Sequence, residues 1–263
     1  MTTLRIYPVP AFRDNYIWIV HNTASAAVID PGDAHPVLDY LQSKKLQLDA
    51  ILITHHHNDH TGGIQALLDR LDVPVYGPEH EAISTVSHPL RDEETVCLPS
   101  LSLSLSVIEV PGHTRGHIAY FGLPPGPDQK HILFCGDTLF ASGCGRLFEG
   151  TAQQMYHSLQ KLAGLPDDTL VYCTHEYTLS NISFARTAEP DNVDLQQLEQ
   201  HASQLRCNNK PTLPSTIAME KACNPFLRCT RPEIIKTASL YAGKKLQEPL
   251  DVFTALREWK NNF

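Results

Sequence analysis

The chain has 263 residues, a formal net charge of -8 and 42% hydrophobic residues, enough for one large domain with a smaller companion and a proper core. The acidic balance argues against general attraction to nucleic acid or to an anionic membrane surface, and no stretch approaches the ~20 apolar residues that span a bilayer. Seven cysteines, an odd number with no CxxC pair, and an opening Met1-Thr2-Thr3-Leu4-Arg5 without signal-peptide character point to a reducing, cytoplasmic setting.

Taken in chain order, the first two-thirds reads as short strands with occasional helices. Apolar runs at 16–20, 26–29, 50–53, 73–76, 105–110, 118–121, 132–135 and 170–173 are the expected strands. Helices are expected over 34–43, 63–71 and 152–162. Turn chemistry separates them, as in Asp30-Pro31-Gly32-Asp33 and the Gly- and Pro-rich run from Gly122 to Pro127. After His175 the texture changes to polar-rich segments with helical spacing at 177–187, 194–208, 231–241 and 251–259, with no strand signal of any strength. The expected division is a strand-rich domain over 1–175 and an all-helical one over 176–263.

Histidine is the anomaly, with fourteen copies. Thr54-His55-His56-His57-Asn58-Asp59-His60 follows the run ending at Ile53. Side chains two apart point the same way in extended chain, so His55 and His57 can grip one ion while His56 points away. Asp59 and His60 come where Thr61-Gly62-Gly63 turns the chain into a helix, and that turn can swing them toward a second ion. Three more candidates each stand just past an apolar strand: His113 in Pro111-Gly112-His113, Asp137 in Gly136-Asp137, and His175 in Thr174-His175. Ligands at the ends of neighbouring strands can converge on one sheet edge. Imidazole and carboxylate suit zinc, with iron or manganese as alternatives. A lone histidine after a strand is usually a turn residue; the HxHxDH cluster with three matching positions is far more specific. His117 reads as a turn residue or a partner of a ligand, and Cys144 as a small residue in a tight loop.

THHHNDH, PGHTRGH, FCGDTLF and CTHEYT resemble, in that order, the metal motifs of the metallo-β-lactamase superfamily. The likeness extends over the chain to the hydroxyacylglutathione hydrolase (glyoxalase II) family, through GDTLFASGCGRLFEGT, THEYTLSNISFA, the NPFLR of Asn224–Arg228 and the ending Leu256-Arg257-Glu258-Trp259-Lys260-Asn261. The resemblance implies a mixed α/β chain: a four-layer αββα sandwich with an all-helical C-terminal domain. It implies one metal on His55, His57 and His113, a second on Asp59, His60 and His175, and Asp137 bridging them. It also implies glutathione contacts at Arg146, Phe148, Tyr177, Arg257 and Lys260. Phe148 departs from the tyrosine common in the family, a loss of one hydrogen bond worth about 0.5–1.5 kcal/mol.

The chemistry implied is attack by a hydroxide that bridges two divalent cations and is held beside Asp137 and Asp59. Its substrate would be S-D-lactoylglutathione, cleaved to D-lactate and glutathione by a monomer. Arg257 and Lys260, at i and i+3 of an expected terminal helix, would form an exposed clamp for glutathione carboxylates. The rival expectation is a mono-iron persulfide dioxygenase of the same superfamily, which resembles the chain at the first metal site and lacks the long helical C-terminal domain.

Overall fold

The computed structural model describes residues 4–263. Its strand-rich part comprises β1 (Arg5–Ala11), β2 (Asn15–His21), β3 (Ser25–Ile29), α1 (Ala34–Lys44), β4 (Gln47–Leu52), α2 (Asn58–Thr61), α3 (Ile64–Leu68), β5 (Val75–Pro78), β6 (His88–Leu90), β7 (Thr95–Leu98), β8 (Leu103–Glu109), β9 (Ile118–Gly122), β10 (Ile132–Gly136), β11 (Leu139–Phe140), β12 (Gly143–Cys144), α4 (Ala152–Ala163) and β13 (Leu170–Cys173). Then follow α5 (Thr178–Ala188), α6 (Val193–Cys207), β14 (Ser215–Thr216), α7 (Ile217–Cys223), α8 (Pro232–Ala242) and α9 (Pro249–Asn261).

Two six-stranded sheets form, in the orders β1-β2-β3-β4-β5-β6 and β14-β13-β10-β9-β8-β7. Period-two alternation decides what each face of the first sheet buries. Tyr16, Trp18, Val20, Ala27, Ile29, Ala50 and Leu52 join the core shared with the second sheet. Ile17, Ile19, Ala26, Val28, Ile51 and Ile53 face the other way, onto Val37 and Leu41 of α1 and Ile64 and Leu67 of α3. The second sheet is backed by α4, whose Met155, Leu159 and Leu162 are fully buried. The result is a helix–sheet–sheet–helix sandwich.

The helical C-terminal region is expected from the sequence with one exception. Ser215 and Thr216 form a short strand that pairs antiparallel with β13, so the expectation of no strand after His175 is corrected. Two polar residues before a helix give no periodic signal, and the pairing exists only because β13 presents a free edge. Within this region Ile182, Ala185, Leu195, Ala202 and Cys223 form a small core of their own.

The edge that matters lies where β4, β10 and β13 end and where the loop after β8 returns. Here the two sheets are stitched together. Tyr16 N–H donates to the Thr174 carbonyl at 2.6 Å, Asn15 bridges to His175, and the Trp18 indole donates to the Cys173 carbonyl at 3.0 Å.

Candidate metal centre

Each predicted ligand comes from the segment that follows a strand, Asp59 and His60 from the short helix α2 and the other five from loops, and all seven come to this edge. His55 Nε2 lies 3.0 Å from His57 Nδ1, and His113 Nε2 lies 3.1 Å from the same atom. His55, His57 and His113 thus offer three nitrogens within 4.8 Å of one another, and Asp59, His60 and His175 offer a second group of the same size. Asp137 stands between the groups. Its Oδ1 is 3.5 Å from His60 Nε2, and its Oδ2 is 3.4 Å from both His113 Nε2 and His175 Nε2.

The rings are aimed by what holds their other nitrogen. His60 Nδ1 meets Asp30 Oδ2 at 3.0 Å, and that buried carboxylate is fixed by the Thr54 N–H and hydroxyl, both at 2.8 Å. His175 Nδ1 meets Asp14 Oδ1 at 2.8 Å. His113 Nδ1 meets the Arg146 carbonyl at 2.8 Å. Asn15 Nδ2 donates to Asp59 Oδ2 at 3.0 Å. None of Asp14, Asn15 and Asp30 was singled out from sequence. The sequence signal for Asp30 is only its place at the head of the Asp30-Pro31-Gly32-Asp33 turn just past β3, where the structure gives it φ 53°, a left-handed conformation.

The donor set fits a cation. His60 Nε2 and Asp137 Oδ1 are buried, aimed at the centre and without a hydrogen-bond partner, whereas buried polar atoms are normally paired. Burial alone would push Asp137 up, but His60 and His175 outweigh it and hold the carboxyl well below the usual range. Burial likewise opposes charge on His60 and His175, and Asp137 overcomes it, helped by Asp30 at the first and by Asp59 and Asp14 at the second. His55, fully buried among other imidazoles, is pushed well down and is ready to ligate, whereas His60 and His175 would give up their protons to a bound cation.

His117 is not at the centre. Its Nε2 accepts the Asp137 N–H at 3.1 Å, and its ring stacks on His55 at 4.6 Å. It is therefore a partner of two candidate ligands, and burial keeps it neutral and able to accept. Gly136 is required here: it has φ 48°, and a Cβ would meet Thr54 Oγ1 at 2.4 Å and His117 at 2.8 Å. His56 points away, as its place between two ligands predicts, and joins Glu81 and Glu149.

A cavity of about 540 Å³ opens over His113 and Asp137, and Arg146, Phe148, Tyr177, Arg257 and Lys260 all line it. Tyr177 stacks on His175 at 4.6 Å. Phe148 stands exposed with its ring 5.6 Å from His57 and 5.3 Å from His113. The expectation of an exposed clamp at a helix end is corrected for Arg257. That residue is 3% exposed, donates to the Cys144 carbonyl at 2.8 Å and stacks on Phe226, because α9 packs onto the loop after Asp137. Cys144 lies buried at that loop. A somewhat larger hollow, about 650 Å³, lies beside Asp14 and carries none of the seven ligands; the chemistry belongs to the smaller one.

Residues 11–175 match the model of the metallo-beta-lactamase superfamily, and residues 176–263 match that of the hydroxyacylglutathione hydrolase C-terminus. A hydroxyacylglutathione hydrolase of Nitrosomonas europaea is 59% identical over 260 residues, covering 99% of this chain and 97% of that one. The chain belongs to the hydroxyacylglutathione hydrolase family. Another member, from Shewanella halifaxensis, is 50% identical over 99% of this chain and all of its own length. Among solved structures, ETHE1 from Myxococcus xanthus superposes with a TM-score of 0.63 at 26% identity, covering 98% of this chain and 97% of that one. A di-iron-bound form of TTHA1623 gives 0.58 at 25% identity, covering 84% of this chain and 100% of that one. The sandwich and the C-terminal helices are thus those of the family. Its His and Asp clusters are candidate sites for divalent metal.

Proposed function

We propose that the chain is a binuclear metal-dependent thioester hydrolase that cleaves S-D-lactoylglutathione, and related 2-hydroxyacyl glutathiones, to glutathione and the free acid. The observation that carries this reading is the position of Asp137. It stands between two ligand triads at the floor of a cavity bearing three cationic side chains, Arg146, Arg257 and Lys260.

In this reading His55, His57 and His113 hold one ion, Asp59, His60 and His175 the other, and Asp137 both. Zinc is the ion we favour, with iron or manganese open to the same donors. Divalent ions so held supply Lewis-acid polarisation of a carbonyl and a water acidic enough to act as nucleophile near neutral pH. Asp30, Asp14 and the Arg146 carbonyl keep the ligand rings aimed while charge shifts. Asp59 and Asp137, both held ionised, would orient the attacking water by accepting hydrogen bonds from it. A thioester suits the site because a thiolate, with a free-thiol pKa of ~8.5, leaves without a strong general acid. Apart from the ligands, the cavity contributes cations and aromatic rings. The two carboxylates of glutathione match Arg146, Lys260 and the remaining donors of Arg257, and Tyr177 and Phe148 line the same cavity for contact with the glutathione moiety.

We read residues 1–175 as the catalytic unit and 176–263 as the substrate-binding unit. No described helix is long and apolar enough to cross a membrane. The seven free cysteines, two of them exposed, support a reducing, cytoplasmic setting, and a monomer is the simplest assembly.

The test is a substrate comparison on metal-loaded protein. Thioester bond loss should be much faster for S-D-lactoylglutathione than for a small thioester lacking the glutathione carboxylates. Oxygen consumption with glutathione persulfide, without thioester cleavage, would instead favour a dioxygenase.

A further inference from the structure

The hairpin β11–β12 joins the metal centre to the cavity. It begins two residues after Asp137 and ends two residues before Arg146. At its turn Ser142 has φ 56°, a left-handed conformation that residues with side chains seldom adopt. The hairpin is held from the C-terminal helices by buried polar side chains. Ser142 N–H donates to Glu220 Oε2 at 2.9 Å. Asn224 Nδ2 donates to the same Glu220 oxygen at 3.0 Å and to the Gly143 carbonyl at 2.9 Å. Asn181 Nδ2 donates to the Ala141 carbonyl at 3.0 Å. Glu220 is fully buried, and helix packing alone gives no reason for a carboxylate there, since buried helix positions are usually apolar.

The far end of the hairpin touches the ligands. Gly145 is pressed against Asp137 so closely that a Cβ would lie 2.0 Å from the Asp137 carbonyl oxygen, and its N–H donates to the Thr138 carbonyl at 3.2 Å. The next residue, Arg146, supplies the carbonyl that meets His113 Nδ1.

We infer that Glu220 is a positioning residue for the metal centre: through Ser142 it sets the hairpin, and the hairpin sets Asp137 from behind and the His113 ring by way of the Arg146 carbonyl. The inference rests on the metal-centre reading above, and it gives the helical region a second task besides lining the cavity.

The test uses the full chain loaded with zinc, comparing Glu220→Leu with Glu220→Gln. The amide keeps an oxygen that can accept from Ser142 and Asn224; the leucine fills similar volume and accepts nothing. Retention of zinc against a competing chelator and kcat and KM on the thioester are read together. The leucine variant should retain zinc about ten-fold less well and lose about ten-fold in kcat per bound metal, the size typical of losing a partner of a ligand. Its KM should move much less, and the glutamine variant should stay within about two-fold of the parent on all three, since the held geometry is preserved. A folded leucine variant with unchanged zinc retention and kcat would overturn the inference and leave Glu220 a fold residue only. If the leucine variant does not fold, Glu220→Asp, whose shorter side chain draws the acceptor back from the Ser142 N–H, is read identically, and unchanged zinc retention there overturns it. Should the parent cleave no thioester, the substrate reading fails, while zinc retention still decides the role of Glu220.

Discussion

Arg257 and Lys260 share one face of α9 but do different things. Arg257 has one donor committed to the Cys144 carbonyl, so Arg257→Ala would leave that buried carbonyl unpaired as well as remove a cation. It should lower thermal stability, by about 1–3 kcal/mol for the orphaned group, and also raise KM. Lys260 is held differently. Burial and then Arg257 push its ammonium down to about 8. Its charge is therefore present below that pH and lost as pH rises through it. For a substrate bound by its carboxylates, kcat/KM should fall between about pH 7 and 9, by roughly three- to ten-fold for a contact worth about 1 kcal/mol. In Lys260→Ala that fall should disappear from a profile already lowered at pH 7. An unchanged fall in the variant would assign it to another group and take Lys260 out of the binding site. The seven side chains proposed as metal ligands could be picked out because their spacing is local or tied to strand ends, and the fold brings them together. Asp14, Asp30 and the buried state of Arg257 were not, because their partners stand 161, 30 and 113 residues away.

At the scale of elements, the strands were legible wherever an apolar run was unbroken, as in β2, β4 and β10. Helix α4, expected over 152–162, spans Ala152–Ala163, and the structure adds a Thr151–Gln154 capping box at its start. The short strand β14 and the hairpin β11–β12 left no periodic trace, since each is only two residues per strand and exists by tertiary pairing. Helix α7 carries the consequence. Burial raises Glu220 from 4.5 to about 7. Between those values the native state holds a proton that the unfolded chain releases, so stability falls as pH rises through the window and is lowest above about 7. Glu220→Gln keeps the acceptor and removes the ionisation. Its Tm relative to the parent, both in excess zinc, should therefore improve from pH 5 to pH 8. The gain should reach a few degrees, up to about 3 kcal/mol. A difference that stays flat across that range would show that Glu220 does not ionise there.

For the whole molecule, the family assignment explains why one chain needs both a sandwich and a helical region. The sandwich brings the seven proposed ligands from the ends of four strands to one edge, a placement that depends on two sheets being stitched at Tyr16–Thr174 and Asn15–His175. The helical region closes the cavity above that edge with Tyr177, Arg257 and Lys260. The sandwich was read from motif order rather than from periodicity, since short apolar runs fit several layered folds equally. The central claim is that two triads share Asp137 around two ions that turn over a glutathione thioester. The most direct measurement is a titration of metal-free protein with zinc, following bound metal and S-D-lactoylglutathione hydrolysis in the same samples. Binding should saturate at two zinc ions per chain, with hydrolysis reaching its maximum as the second site fills. Saturation at one ion per chain, or two bound ions without hydrolysis, would contradict it.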